Sequence, residues 1–211
     1  MANYLATRKG NCVSMPILFV IIGQKLGIDV TLSSAPEHYF VKYRDETGMY
    51  TNAEVTHDAG PKADASYIRD FEISPVAIKN GLYLRPMTQR ENVVQIIGTL
   101  TEHYSQTKNI AKLHPTIDLL MRYDPRRPDL MARKGYAYYL EIETRFIGKF
   151  PDMSTLPEPL RKEHDRLASA NRRWYGKAEA LGWRRPSKKL MAAQETFARN
   201  AASNQQTKGT R

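Results

Sequence analysis

The spacing of apolar residues changes once along this 211-residue chain, near residue 88, and that change limits the fold more than any other feature. Before it, one apolar run precedes short segments in which apolar and polar residues alternate, as they do in β-strands. After it, apolar residues recur at the roughly 3.6-residue period of amphipathic helices. This order predicts an α+β fold in which a small sheet-containing module is followed by a helical region.

The first part of the chain predicts a helix packed on a few antiparallel strands. Apolar residues between Val13 and Leu26 recur mostly at helical spacing after a Gly-Asn turn, and Gly27 supplies a helix-ending residue. Pro16 falls in the first helical turn, where a missing backbone N–H is tolerated. Alternating segments follow, which predict two or three strands: IDVTLSS, HYFVKY and MYTNAEVT.

The second part of the chain predicts four helices joined by proline-containing turns. The segments are ENVVQIIGTLTEHYSQ, NIAKLHPTIDLLMRYDP, PDLMARKGYAYYLEIETRF and EPLRKEHDRLASANRRWYGKAEALGW. Beyond Pro186 the chain loses large apolar residues and gains Gln, Asn, Ser and Lys, which predicts a disordered end.

The net charge of +10 belongs almost entirely to the helical part. Residues 1–106 hold 10 Lys and Arg against 11 Asp and Glu, whereas residues 107–211 hold 22 against 11. Arginine pairs stand near aromatic residues there, a combination that can bind nucleic acid. We favour a solvated basic face with the rings turned to the core, and expect no nucleic-acid partner. The residues are Arg126, Arg127, Arg172, Arg173, Arg184 and Arg185, with Tyr123, Trp174, Tyr175 and Trp183.

Several classes of protein do not fit this sequence. Its longest apolar stretch is about eight residues, well short of the roughly 20 that span a bilayer, and it has no recognisable export signal. A single cysteine forms neither an internal disulfide nor a cysteine-based zinc site, and no glycine-rich phosphate loop is present. We therefore expect a cytoplasmic protein with no metal, no cofactor and no membrane partner.

The one cysteine, Cys12, stands where the Gly-Asn turn meets the predicted helix. A helix N-terminus stabilises the thiolate, which is the nucleophilic form of cysteine. A cysteine nucleophile also needs a base, and the base needs an orienting group. His38 begins a predicted strand, and Asn52 and Glu54 share one face of the next, so either could hold the imidazole. The alternative is that Cys12 is a small packing residue.

These residues also resemble a known family. The segments RKGNCVSMPILFVIIGQKLGIDV, APEHYFVKY and NAEVT look like the transglutaminase-like superfamily, which has the papain-type cysteine protease fold, and particularly its bacterial branch with C-terminal helical repeats. The resemblance covers roughly residues 4–60. It implies that Cys12 is the nucleophile and His38 the base. Glu54 matches the position where many relatives have aspartate. We expect His57 to be exposed and Asp58 to be a turn residue.

Acyl transfer also needs hydrogen-bond donors for the oxyanion that forms during attack. The resemblance implies a donor from a segment before the cysteine, but only eleven residues precede Cys12. We therefore expect the module to be incomplete at its N-terminal end. The backbone N–H of Cys12 is the evident donor.

The helical part contains a second, more local resemblance. LLMRYDPRRPDLMARKGYAYYLEIE is similar to the junction between tetratricopeptide-type repeats, with an Asp-Pro turn and a small residue, Gly135, for close packing. It implies a surface for a protein or peptide; a helical cap on the first module is the other interpretation. The predicted domains are a transglutaminase-like module at 1–86, a helical region at 87–185 and a basic, partly disordered tail at 186–211.

Two functions from different classes follow from these patterns. The first is cysteine-dependent acyl transfer or amide hydrolysis on a protein or peptide substrate. Cys12, His38 and Glu54 would be its catalytic residues, and Asn52 is the alternative orienting residue. The second is a catalytically inactive protein of the same fold that binds a protein partner through its helices.

Overall fold

The chain divides into two compact units, one with a sheet and one built from helices. The computed structural model describes residues 2–7, 10–56, 60–147, 149–150 and 152–192. Of these, residues up to 89 and from 185 onward form the first unit, and residues 90–184 form the second. The end of the predicted tail, residues 193–211, lies outside the described residues. Within the described ranges, no helix combines the length and apolar character that crossing a membrane requires.

The first unit has a four-stranded antiparallel sheet in the order β1-β2-β3-β4, so the α+β class is confirmed. The sequence predicts two or three strands, which is fewer than the four in the sheet. The strand that it does not predict is β4, a two-residue segment paired with the end of β3. The helices are α1 (Ala2–Thr7), α2 (Ser14–Lys25), α3 (Asp64–Asp70) and α4 (Pro75–Lys79). The strands are β1 (Val30–Ala35), β2 (His38–Arg44), β3 (Tyr50–Glu54) and β4 (Gly60–Pro61).

Helices cover both faces of this sheet. Because side chains alternate along a strand, Val41 on β2 packs with Ile17 of α2, whereas Phe40 packs on the other face with Tyr67 of α3. His38 lies on the same face as Phe40, two positions earlier. The histidine and helix α2 are therefore on opposite sides of the sheet.

Helix α2 begins with a reciprocal cap. The Asn11 side-chain oxygen accepts a hydrogen bond from the Ser14 backbone N–H at 2.9 Å, and the Ser14 hydroxyl accepts one from the Asn11 N–H at 3.0 Å. The Met15 N–H donates to the Asn11 carbonyl at 3.1 Å, so helical hydrogen bonding starts at Asn11. Cys12 thus lies in the hydrogen-bonded turn that leads into α2. Gly27 has a φ of +77°, consistent with the expected glycine cap.

The second unit contains the four helices that apolar periodicity predicts. They are α5 (Gln89–Gln106), α6 (Ile110–Tyr123), α7 (Pro128–Ile142) and α8 (Glu158–Ala180). A π-helical turn (Glu143–Ile147) follows α7, and a 3-10 turn (Met153–Thr155) precedes α8. Gly135 of α7 lies against Tyr175 of α8, where a Cβ would come within 2.9 Å of the ring.

Not every arginine pair lies in solvent, contrary to the expected basic face. The Arg127 guanidinium donates to Gln95 at 2.7 Å and to Asp129 at 2.9 Å, so it joins α5 to the start of α7. Trp183 is buried, as expected for rings turned to the core. Tyr123 departs from that expectation, because 57% of it is exposed.

Candidate active site

His38 is held at the start of β2 by a carboxylate on the neighbouring strand. Its Nε2 donates to Glu54 Oε2 at 2.7 Å, and only 9% of each side chain is exposed. The antiparallel pairing of β2 with β3 and their shared face bring the two side chains together. Sheet geometry therefore fixes this pair.

Both carboxylate oxygens of Glu54 accept more than one hydrogen bond. Its Oε1 accepts from the backbone N–H groups of Val55 (3.0 Å) and Thr56 (3.1 Å) and from the Thr56 hydroxyl (2.6 Å). Its Oε2 accepts from His38 and from the Tyr67 hydroxyl, the latter at 3.1 Å. Burial by itself would raise the pKa of Glu54. The hydrogen bond from His38, the positive charge of His38 and the hydrogen bonds from Thr56 outweigh burial and lower this pKa to about 2. The carboxylate is ionised at neutral pH.

The thiol of Cys12 lies near the start of β2, beside the residue that precedes His38. Its sulfur is 3.9 Å from the carbonyl oxygen of Glu37, the residue before His38, and the side chain is partly exposed. Because Nε2 bonds to Glu54, Nδ1 is the ring nitrogen available to the thiol. Burial lowers the pKa of His38, yet hydrogen bonds with Cys12 and Glu54 and the charge of Glu54 raise it to about 9.

The turn between β1 and β2 brings Glu37 and His38 to Cys12. Ala35 pairs with His38, so the turn consists of Pro36 and Glu37 alone. Glu37 has a φ of 55°, a left-handed conformation that glycine usually takes at this place in a turn. Such strain is frequent at functional sites. Here it directs the Glu37 carbonyl towards the Cys12 thiol and starts β2 at the histidine.

Aromatic rings pack around the imidazole and limit its rotation. The Phe71 ring is stacked on His38 with centroids 5.0 Å apart, and the Tyr67 ring is 6.1 Å away. Burial and the nearby Glu54 charge raise the pKa of Tyr67, so its hydroxyl keeps its proton and remains a donor.

Asn52, the alternative orienting residue, does not contact His38 through its polar atoms. Its amide nitrogen donates to Asp64 at 2.6 Å and to the Lys62 carbonyl at 2.8 Å, and its oxygen accepts from buried Lys42. Of the two candidates, Glu54 is the one that bonds to the imidazole. His57 and Asp58 lie outside the described residues.

Three residues of the site were not predicted from the sequence. Thr56 lies two positions after Glu54, a spacing at which a hydroxyl often bonds a nearby acceptor. Asn11 lies three positions before Ser14, which is a capping pattern that could have been recognised. Tyr67 gave no comparable indication, because it belongs to a seven-residue helix with no apolar period.

The arrangement can hold a thiolate next to an imidazolium whose other nitrogen is fixed by a carboxylate. These are the parts of an activated cysteine nucleophile. Among the described residues, no group of three or more His, Cys, Asp or Glu side chains is placed to hold a metal ion.

Comparisons with known proteins provide no further indication of function. The chain matches no protein-family model, and it has no significant match among curated proteins or solved structures. The functional argument therefore depends on the site itself.

Proposed function

We propose that this protein is a cysteine-dependent acyltransferase or amide hydrolase that acts on a protein or peptide. Cys12 is the nucleophile, His38 the acid and base, and Glu54 the residue that orients His38. One observation carries the proposal: the buried His38 is bound by Glu54 through Nε2, and the only thiol of the chain lies 3.9 Å from the carbonyl oxygen of the preceding residue and helps to raise the pKa of the imidazole.

The fold around these residues supports a transglutaminase-like, papain-type module. Its thiol lies in the turn that leads into α2, and antiparallel strands that carry the histidine and then the carboxylate follow along the chain. This is the order that the segments around Cys12, His38 and Glu54 imply through their family resemblance. The cytoplasmic location expected from the sequence belongs to the same proposal.

Acylation begins with the thiolate. The Cys12 sulfur attacks the carbonyl carbon of an amide, and a carbon–sulfur bond forms while the carbonyl electron pair moves to oxygen. As the tetrahedral intermediate collapses, the carbon–nitrogen bond breaks and imidazolium His38 gives its proton to the leaving amine. Glu54 keeps the ring in position and stabilises its charged form. The product is a thioester on Cys12.

Deacylation reverses the proton transfer. Neutral His38 accepts a proton from water or from a primary amine as that nucleophile attacks the thioester carbon. The carbon–sulfur bond then breaks and the thiolate returns beside the imidazolium. Water gives hydrolysis, and an amine gives transfer.

The test is the rate of Cys12 alkylation by iodoacetamide between pH 5 and 9, measured by intact mass. A thiolate paired with imidazolium reacts even in mild acid, where ordinary thiols are protonated. At pH 6 we expect His38→Ala to react at least about tenfold more slowly than the unchanged protein. His164→Ala is the matched control, because His164 lies on α8 and pairs with Asp165.

Equal rates in the unchanged protein and His38→Ala, with folded circular dichroism spectra for both, would refute the proposal. If the rates differ as expected, incubation with a glutamine-containing peptide and a primary amine identifies the reaction. A free acid indicates hydrolysis, and a new amide indicates transfer.

A second function, binding of a protein partner without catalysis, is favoured by the surface of α5. Val93, Ile97 and Leu100 lie on one stripe of this helix, and between 36% and 54% of each is exposed. Exposed apolar stripes are common at protein interfaces. The alkylation test separates the functions, since a binding protein that has lost the chemistry would show a thiol indifferent to His38.

A further inference from the structure

We propose that the C-terminal half of α8, with the turn after it, binds the phosphate backbone of a nucleic acid. Four exposed cations form this surface, which we call the α8 cationic patch: Arg172, Arg173, Lys177 and Arg184. All four belong to the second unit, so this surface does not depend on the chemistry proposed for the thiol of the first unit. The sequence alone favoured a solvated face, whereas the placement of charge along α8 indicates a partner.

The cations of α8 differ in their partners between the two halves of the helix. In the N-terminal half, Lys162 pairs with Glu158 at 3.0 Å. One turn later, Arg166 pairs with Glu163 at 2.8 Å. Within the part of the chain that the structure describes, no member of the α8 cationic patch forms an ion pair with a carboxylate. Glu179 is the one acidic residue between positions 167 and 185, so the positive charge there is largely unneutralised.

Neutral groups hold two side chains of the patch in place. The Arg172 guanidinium donates to the Ser169 hydroxyl at 3.2 Å. The Lys177 Nζ lies 4.5 Å from the centre of the Trp174 ring, which is a cation–π contact. These contacts restrict the side chains without cancelling their charge, so less conformational freedom is lost when a phosphate binds.

The surroundings of the patch favour a phosphate backbone over a protein or a membrane. Among the described residues between positions 148 and 190, no large hydrophobic side chain is exposed. Protein interfaces have an apolar or aromatic centre, and helices that bind membranes insert apolar side chains beside their cations. Nucleic-acid phosphates require neither, because counterion release drives their binding. Three of the four cations are arginine, whose planar guanidinium matches the oxygens of a phosphate.

The experiment measures binding of a fluorescein-labelled oligouridylate of about 20 nucleotides by fluorescence polarisation, at salt concentrations from about 50 to 200 mM. The test variant combines Arg173→Ala with Lys177→Ala, which removes two charges of the patch one helical turn apart. We expect its Kd at about 0.1 M salt to be about tenfold higher than that of the unchanged protein. Each phosphate contact on a single strand contributes about 0.7 to the slope of log K against log salt, so the slope should become shallower by about 1.4.

The matched control combines Lys162→Ala with Arg166→Ala. It removes the same charge at the same spacing on the same helix, but from cations that pair with carboxylates. Salt at about 0.1 M screens charges over about 10 Å, so we expect its Kd to stay within about threefold of the unchanged protein. Alanine is the best helix former, so both variants should keep α8 folded, which circular dichroism checks.

Equal losses of affinity in the two variants would overturn the inference, because they would show that net charge and not the patch binds the oligonucleotide. Failure of the unchanged protein to bind at about 50 mM salt, where phosphate contacts are strongest, would also overturn it. Displacement of the oligonucleotide by polyglutamate at an equal concentration of charges would assign the patch to an acidic protein instead. Each of these results leaves the proposed role of Cys12 untouched.

Discussion

At the scale of single residues, the site depends most on Glu54, because its two oxygens accept five hydrogen bonds. Glu54→Gln keeps the shape but removes the charge and replaces an accepting oxygen with an NH2. We expect the pKa of His38 to fall from about 9 towards its ordinary value of 6.5, because the bond and the charge of Glu54 both raise it. Histidine ring-proton titration by NMR measures this shift.

Glu46→Gln serves as the control, since it removes a carboxylate from an exposed turn. The His38 resonance is assigned by its disappearance in His38→Ala. A His38 titration midpoint that stays near 9 in Glu54→Gln would contradict the role given to this carboxylate.

Sequence order and strand alternation were enough to select Cys12, His38 and one face of the next strand, but not to choose between Asn52 and Glu54 on that face. Asn52 and Glu54 lie on the same face of β3, so the register of β3 against β2 decides which of them contacts His38. That register pairs Asn52 with Lys42, which draws the amide into a bond with the lysine. Side-chain alternation alone does not fix the register of β3 against β2, so both candidates remained open.

At the scale of helices and strands, Gly135 sets how closely α7 and α8 approach. Gly135→Ala would put a methyl group 2.9 Å from the Tyr175 ring, so the helices must shift or the ring must turn. We expect the free energy of unfolding to fall by about 1–3 kcal/mol, as overpacked cores usually show. Urea unfolding followed by circular dichroism measures the change.

Gly176→Ala is the matched control in the same helix pair. Its added Cβ would meet no atom within 4 Å, so helix propensity alone should act and stabilise the protein by up to about 1 kcal/mol. Equal effects of the two substitutions would show that the contact with Tyr175 does not limit the packing.

Element length explains which elements the sequence could predict. The helices of the second unit have between 14 and 23 residues, enough for several repeats of the apolar period. Helices α3 and α4 have seven and five residues, and β4 has two, so no period can develop in them. Their positions depend on contacts with distant residues, such as Tyr67 with Phe40.

At the scale of the whole molecule, the His38–Glu54 pair should make stability depend on pH. His38 has a pKa of about 9 in the folded protein against an ordinary 6.5, so its contribution is complete below pH 6.5 and is lost as the pH rises to 9. Glu54 has a pKa of about 2 against 4.5, so its contribution is present above pH 4.5 and is lost as the pH falls to 2. The pair therefore stabilises most between pH 4.5 and 6.5.

Thermal unfolding of the unchanged protein and Glu54→Gln between pH 3 and 9 measures this contribution. Other carboxylates also respond to acid, so the informative quantity is the difference in melting temperature between the two proteins. We expect that difference to be largest between pH 4.5 and 6.5 and to shrink on either side. A difference that stays constant across the range would contradict the ion pair.

The arrangement of Cys12 and His38 on different layers has a consequence for how the protein can be observed. The thiol precedes α2, whose apolar residues pack on one face of the sheet, and the imidazole lies on the opposite face with Phe40 and Tyr67. A brief detachment of α2 would move the Cys12 sulfur away from the His38 ring, while the hydrogen bond between His38 and Glu54 would remain. Because the chain has one thiol, a single spectroscopic label attached to Cys12 would report the detachment of α2 from the sheet.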